Sequence, residues 1–335
     1  MTLRQLLFTG MDDIVHFDKA FTHYQQHDDG TVSAHFADGT TATGDVLVAA
    51  DGANSAVRHQ YLPHAQVTDA GIIAIGGKVP ITAETKALLP PRCFQGLSLV
   101  FAPKGRFCIW HVMEFKWDTS GQVKGGIGGN DAELIQRWPG LLFDNTRDYI
   151  NWGFWASTGK YPPGVMDLRG PDLIRLVLDM TPGWHPNLHK LFGLSDPGSC
   201  FPINIRTSVP VPPWKPSTIT LVGDAIHTMT PGQGVGANTA LRDAALLCRQ
   251  LVAAHQGAKP LLAAIGDYEA EMVPYGFARV ADSLAQNGSS GNDALHKPVV
   301  GRVMLAGTRT YFRAVDRIPA VRRNFLNSLY TYRSS

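Results

Sequence analysis

The sequence contains few cysteines, and their pattern suggests neither a disulfide framework nor a metal site. The 335-residue chain has four, which lie far apart and have no histidine at metal-ligand spacing: Cys93, Cys108, Cys200 and Cys248. This pattern predicts reduced, mostly buried thiols. No apolar run approaches the roughly 20 residues that a membrane-spanning helix needs, and no signal-peptide pattern precedes the first predicted strand. We therefore expect a cytoplasmic protein without a transmembrane segment.

The sequence also lacks an excess of charge of either sign. Lysine and arginine total 30 against 28 acidic residues, for a net charge of +2, and charged residues make up 17% of the chain. This balance does not indicate a nucleic-acid partner, and the short basic run at Arg317, Arg322 and Arg323 is typical of a solvated helix face. A hydrophobic content of 44% predicts a globular protein rather than a disordered one.

Several catalytic and phosphate-binding motifs are missing. The sequence has no Ser-His-Asp order, no metal-ligand spacing and no Walker loop. It also has no Gly-x-Gly-x-x-Gly loop between a strand and a helix. The glycine-dense stretch at 121–129 lacks that spacing and follows no clear strand. Nucleophilic, metal-dependent and P-loop chemistry are therefore disfavoured.

The most informative segment is an apolar strand that ends in Gly223 and Asp224, followed by Pro231 and a glycine-rich turn that leads into a helix at 238–255. The aspartate is expected at the carboxyl edge of a sheet, where it suits a ribose hydroxyl. The glycines permit close backbone approach, and the amino end of the helix stabilises negative charge, such as that of a reduced flavin. A plain crossover with packing glycines is the alternative. The six matching positions would occur together by chance in about one chain in 10⁵; they are Gly223, Asp224, Pro231, Gly234, Gly236 and Asn238.

A second segment also follows an apolar strand. It consists of Asp51, Gly52, Ser55 and Arg58. Four such residues would match by chance in roughly one chain in a few hundred. The alternative is a strand-ending turn in which Ser55 caps the turn that follows. Its position before the Gly-Asp segment, with a long insertion between them, favours the functional interpretation.

Together these residues resemble the class A flavoprotein monooxygenases, the group of p-hydroxybenzoate hydroxylase and the tetracycline-inactivating hydroxylases. The resemblance implies that the first segment lies near the FAD pyrophosphate and takes part in NAD(P)H handling. It implies that Asp224 contacts the FAD ribitol or ribose, and that Leu3 and Arg4 match a helical step whose arginine touches the cofactor. It further implies a loop against the isoalloxazine, formed by Pro231, Gly234, Val235, Gly236 and Asn238.

The implied fold is α/β: an incomplete Rossmann-like FAD-binding domain with an inserted α+β substrate domain and C-terminal helices. The expected domains are residues 1–60, 61–205 and 206–335, of which the first and last belong to the FAD-binding domain. Hydrophobic periodicity predicts strands at 20–24, 32–36, 45–50, 72–79, 96–101, 107–115 and 219–222, and helices at 172–179, 186–192, 238–255, 261–285 and 299–325. The chain resembles a family member without about its first hundred residues, roughly one βαβ half-domain, so we expect FAD binding by this chain alone to be weak or nil.

The resemblance implies an enzyme in which NAD(P)H reduces FAD and O₂ forms a C4a-hydroperoxyflavin, which hydroxylates an aromatic or polyketide-like small molecule. A monomer or homodimer is expected. Two alternatives stay open: a truncated, non-catalytic flavin-fold remnant, and an FAD-dependent reductase or dehydrogenase. Trp152, Gly153, Phe154 and Trp155 do not match the Trp-x-Trp-x-x-Pro signature of the related halogenases, which disfavours halogenation.

The predicted strand at 107–115 supplies the substrate-contact candidates His111 and Met113. Its alternation points Ile109, His111 and Met113 to one face, and that face lines a cavity or belongs to an ordinary core. His111 suits the orientation or deprotonation of a phenol, and a structural histidine is the alternative. His227 is expected to pack the Gly-Asp segment rather than to react.

Overall fold

The computed structural model describes residues 7–8, 10–11, 13–103, 105–115, 148–286 and 298–334. The chain divides into two compact units. The first comprises Met1–Ala70, Gly128–Asp144 and Asn204–Ser289, and the second comprises Gly71–Ile127, Asn145–Ile203 and Ser290–Ser335. The sequence-based domains had boundaries near 60 and 205 and kept all of 206–335 together, whereas here 290–335 group with the second unit. That domain division stays a prediction.

The first unit begins with a small antiparallel sheet. Its strands β1 (Phe21–Gln26), β2 (Val32–Phe36) and β3 (Thr41–Gly44) are neighbours in that order. Their turns contain Asp-Gly pairs, and Gly30 and Gly39 have φ of 89° and 82°, which only glycine adopts easily. The sequence predicted β1 and β2 but not β3, whose four residues are all exposed and carry no apolar alternation.

The second sheet of this unit is the one that bears on function. β4 (Leu47–Ala49) and β10 (Ile219–Leu221) form a parallel pair, with Leu47 opposite Ile219 and Ala49 opposite Leu221. Ile219 and Leu221 are fully buried. The helices of the unit are α1 (Ala56–Tyr61), α5 (Asp224–His227), α6 (Gly236–His255) and α7 (Leu261–Gln286).

The second unit is built on a five-stranded sheet in the order β6-β7-β8-β5-β9. These strands are β5 (Val67–Pro80), β6 (Ser98–Ala102), β7 (Arg106–Met113), β8 (Tyr149–Ser157) and β9 (Phe201–Ser208), of which β5 and β9 extend past the unit boundary. One sheet face packs against α3 (Gly170–Met180) and α4 (Pro186–Gly193) through a buried core that includes Trp110 and Trp152. The short helix α2 (Ala83–Leu88) lies between β5 and β6 in the chain.

The sequence predicted one helix over 299–325, and this is wrong. The structure has two, α8 (Pro298–Arg317) and α9 (Pro319–Ser334), with a break at Ile318. A proline restricts the residue before it and cannot donate a helical hydrogen bond, so it begins a new helix more easily than it continues one. All four cysteines are free, and only Cys108 and Cys200 are buried, so the expectation of mostly buried thiols holds for half of them.

Candidate active site

Both predicted motifs lie at the same edge of the parallel sheet. Asp51 follows the end of β4, and Gly223 and Asp224 follow the end of β10. Because β4 and β10 are parallel neighbours, their carboxyl ends meet. Asp51 and Asp224 therefore follow neighbouring strand ends at one edge of the sheet.

Gly223 has a packing reason to be glycine. Its φ of 57° lies in the left-handed region, and a Cβ on it would stand 2.9 Å from the Cβ of Ala240. The glycine therefore lets α6 approach the end of β10 closely. Asp224 follows as the first residue of α5, with an exposed side chain. Partial desolvation by its neighbours raises the pKa of Asp224, while nearby His227 acts in the opposite direction.

A buried carboxylate that the sequence analysis did not identify holds this segment in place. Asp243, on α6, is fully buried and accepts three hydrogen bonds. Gly223 N donates to its Oδ2 at 2.7 Å, His227 Nε2 to the same oxygen at 2.6 Å, and Tyr275 Oη to its Oδ1 at 2.5 Å. Burial, followed by the hydrogen bond to Asp243, raises the pKa of Tyr275, which keeps its hydroxyl a donor. Asp243 could have been found from the sequence, because it is an acidic residue on the same helix face as the buried Leu246 and Leu247.

The glycine loop after α5 fits a planar ligand with polar edges. Pro231–Gln233 form one 3₁₀ turn, Gly234 has a φ of 65°, and α6 starts at Gly236 with no side chain capping its free amides. A Cβ at Gly234 would meet no atom within 4 Å, so this backbone faces open space. Within the described residues, the buried Thr230 Oγ1 and the Gln233 Oε1 have no hydrogen-bond partner. Open backbone, uncapped amides and unpartnered polar atoms suit the edge of a flavin ring, with Pro231, Val235, Gly236 and Asn238 on the same loop and helix start.

The Asp51 segment joins the site through structural contacts. Ser55 caps α1, its Oγ accepting from Arg58 N at 2.9 Å. Arg58 is 2% exposed, and its guanidinium donates to the carbonyls of Ala53 at 2.9 Å and Ala225 at 2.8 Å. Burial lowers the pKa of Arg58. The guanidinium of Arg58 therefore links the two motifs. Contacts of Asp51, Gly52, Ser55 and Arg58 with the cofactor stay predictions. Arg4 lies outside the described residues.

In the second unit, the face of β7 that carries His111 and Met113 is the open one. Cys108 and Trp110, on the other face, are buried in the core, while His111 is exposed and Met113 half-buried.

Aromatic rings form a row on this open face. Phe101 of β6, Phe107 of β7 and Trp155 of β8 are cross-strand neighbours, with ring centroids 5.0 Å and 5.2 Å apart. Trp155 lies over Gly153, where a Cβ would be 2.8 Å from its ring. The open face is therefore a candidate platform for a flat molecule.

Comparison with known proteins supports a flavin interpretation of the fold. A family described as an FAD binding domain matches residues 199–281. A solved structure from Photorhabdus luminescens subsp. laumondii TTO1, described as an FAD containing monooxygenase, is 33% identical, with a TM-score of 0.72 over 86% of this chain and 72% of that one. The chain belongs to the FAD-dependent monooxygenases.

Other members of this monooxygenase family are more distant or much longer. The dual O-methyltransferase/FAD-dependent monooxygenase CTB3 of Cercospora beticola is 31% identical over 294 residues, which are 80% of this chain and 31% of that protein. This chain therefore spans about a third of that relative's length. The structure of Klebsiella pneumoniae HpxO with FAD and uric acid has a TM-score of 0.64 at 23% identity, over 90% of this chain and 66% of that one, and it supports the fold alone.

Two features are absent from the described residues. In the part of the chain that the structure describes, no cluster of three or more His, Cys, Asp or Glu side chains could hold a metal ion. None of the described helices combines the length and the apolar character needed to span a membrane.

Proposed function

We propose that this chain forms the flavin-ring loop and the substrate face of a monooxygenase that uses FAD, NAD(P)H and O₂ to hydroxylate an aromatic or polyketide-like small molecule. The observation that supports this most is the meeting of two acidic strand ends with an uncapped helix start at one sheet edge. FAD, when bound, supplies the redox chemistry that activates O₂ and transfers one oxygen atom.

The chain's own residues would bind and stabilise the cofactor. Asp224 offers carboxylate oxygens to ribityl or ribose hydroxyls, which donate hydrogen bonds. The free amides of α6 and its dipole favour negative charge on a reduced flavin by about 0.3–1 kcal/mol, or more where water is excluded. Gly234 leaves room for a ring to lie against the backbone. No protein nucleophile is needed for this reaction.

An aromatic substrate suits the second unit's open sheet face. The ring row of Phe101, Phe107 and Trp155 offers stacking surface, and the exposed His111 offers a polar group to a phenol or an acidic N–H. Relatives named for aromatic heterocycles agree with this: the 6-hydroxynicotinate 3-monooxygenase of Bordetella bronchiseptica is 24% identical over 245 residues, and the FAD-dependent urate hydroxylase of Klebsiella pneumoniae is 28% identical over 277.

The first test is an FAD titration of the purified chain followed by flavin fluorescence. Because the sequence has no Gly-x-Gly-x-x-Gly loop, we expect weak binding that Asp224→Ala weakens further by about tenfold, the worth of one charge-assisted hydrogen bond. Asp282→Ala, an exposed carboxylate elsewhere on α7, is the matched control and should change nothing. Tight, stoichiometric FAD binding would contradict the expected weakness, and binding insensitive to Asp224 would contradict the assigned site.

The reaction is tested with ¹⁸O₂, NADH or NADPH, and a panel of phenols and hydroxylated heterocycles. Label in a hydroxylated product supports the monooxygenase. Pyridine-nucleotide oxidation without label in any product would indicate a reductase or dehydrogenase, and a chain that binds no FAD at any concentration would indicate the non-catalytic remnant.

A further inference from the structure

The second unit has a groove whose lining includes no residue of the flavin loop. It has a volume of about 670 Å³ and lies between edge strand β6 and the helix pair α8–α9. Leu99 and Phe101 form its strand side and leave 47% and 43% of their surfaces exposed, a large apolar area for an edge strand. Its volume is that of typical small-ligand sites.

The helix side of the groove is aromatic. Phe312 of α8 and Phe325 of α9 lie with ring centroids 5.8 Å apart and nearly perpendicular planes. Both rings line the groove, opposite Phe101, which in turn begins the aromatic row that crosses β7 and β8. A flat ring system can therefore contact aromatic surface on both sides.

The charge of the groove is strongly one-sided. Four arginines and one carboxylate line it: Arg92, Arg309, Arg313, Arg322 and Asp316. None of these arginines belongs to an ion pair among the described residues. Arg309 and Arg313 stand one helical turn apart, a like-charge spacing that destabilises a helix slightly. The groove therefore offers four guanidinium groups to an anionic ligand.

We propose that this groove binds a planar aromatic acid, with its ring between Phe101 and Phe312 and its anionic group held by Arg309 and Arg313. Arginine binds carboxylate or sulfonate oxygens with two parallel N–H donors, which a lone lysine cannot do. The four arginines of the groove are enough to bind one small anion and too few to bind an extended polyanion. The inference concerns ligand binding alone, so its test requires no FAD and its outcome is independent of the proposed reaction.

The test compares two fluorescent probes that share a ring frame and differ in charge. One is 8-anilinonaphthalene-1-sulfonate, and the other is the uncharged N-phenyl-1-naphthylamine. In the double variant Arg309→Gln/Arg313→Gln we expect the sulfonate's Kd to rise at least tenfold, while the neutral probe's Kd stays unchanged. Arg317→Gln/Arg323→Gln is the matched control, because these arginines lie on the same helices outside the groove lining. In the control, both Kd values should match the wild type.

A third variant tests the apolar contact. Phe312→Ala should weaken both probes, since it removes ring contact that they share, and circular dichroism should show the helix content unchanged. Equal loss of sulfonate binding in the two arginine pairs would overturn the proposal, because nonspecific charge would explain it. A dimer in sedimentation that Arg309→Gln/Arg313→Gln abolishes, with no change in sulfonate binding, would overturn it in favour of self-association.

Discussion

At the scale of single residues, Asp243 holds the segment that carries Asp224, although it was not identified from the sequence. Its two oxygens hold the strand end, the helical turn after it and α7 through Gly223, His227 and Tyr275. The guanidinium of Arg242 lies 3.9 Å from the centre of the Tyr275 ring and packs that ring from the outside. The position of Asp224 therefore depends on a carboxylate that does not itself reach the surface.

Replacement of Asp243 should be costly. Asp243→Asn replaces one acceptor oxygen with an NH₂ group, which donates and therefore faces another donor. We expect the free energy of unfolding to fall by about 2–4 kcal/mol. Tyr275→Phe removes one of the three donors and should cost about 1–2 kcal/mol. Urea denaturation measures both. Tyr311→Phe, at an exposed position on α8, is the control and should stay near wild type. An Asp243→Asn variant within about 0.5 kcal/mol of wild type would show that the network is not holding the fold.

The raised pKa of the buried Glu269 carboxyl predicts that the stability of the protein depends on pH. Burial beneath β10 raises the pKa of Glu269 to about 7, against which the hydrogen bond from Thr220 Oγ1 acts only in part. The pKa of Glu269 is higher in the folded state than its usual value of 4.5. The stability that the neutral carboxyl allows is therefore complete below about pH 4.5 and is lost as the pH rises through 7.

Glu269→Gln should remove this dependence. We expect a gain in the free energy of unfolding of about 2–3 kcal/mol at pH 8.5 and little change at pH 5. Urea titrations at the two pH values measure it. Glu271→Gln, two residues along and exposed, should leave the pH profile unaltered. A variant whose stability changes equally at both pH values would refute the titration of Glu269 as the cause.

At the scale of elements, two glycines in helices give opposite predictions for the same substitution. Gly276 lies inside α7, and a Cβ there would stand 2.6 Å from Cδ2 of the buried His227. Gly307 lies inside α8, and a Cβ there meets nothing within 4 Å. Helix propensity alone favours alanine at both positions by up to about 1 kcal/mol.

Gly276→Ala should therefore lower the free energy of unfolding by about 1–3 kcal/mol, since a buried ring must move. Gly307→Ala should raise it by about 0.5–1 kcal/mol. Thermal and urea unfolding of the pair provide the measurement, each variant serving as the other's control. Equal stabilisation by both substitutions would mean that α7 does not press on His227.

The elements also show which parts of the fold sequence patterns can predict. The strand ends that carry Asp51 and Asp224 were predictable, because short apolar runs before Asp-Gly and Gly-Asp are local signals. β8 was not predicted, since Gly153 in its centre is typical of a turn, yet here glycine makes room for the Trp155 ring. Asp243 was missed because its three donors come from segments up to 32 residues away and meet only after folding.

At the scale of the whole molecule, each unit has a hydrophobic core of its own. Trp110 and Trp152 are central to one core, and Ile219, Leu221 and Tyr268 to the other. The candidate flavin loop belongs to the first unit, and the aromatic face and the arginine groove belong to the second. Because the chain spans about a third of the length of the Cercospora beticola relative, its activity and substrate are proposals that rest on these two surfaces.

The pairing of β4 has a practical consequence for work with this chain. Among the described strands, β4 pairs only with β10, and an apolar hollow of about 460 Å³ next to it is lined by Val48, Val222, Leu247 and Leu251. An unpaired backbone edge beside such a hollow is a template on which another extended chain can pair. We therefore expect the purified chain to aggregate more at higher concentration and less with added detergent. A fused or co-expressed strand that pairs with β4 should reduce this aggregation.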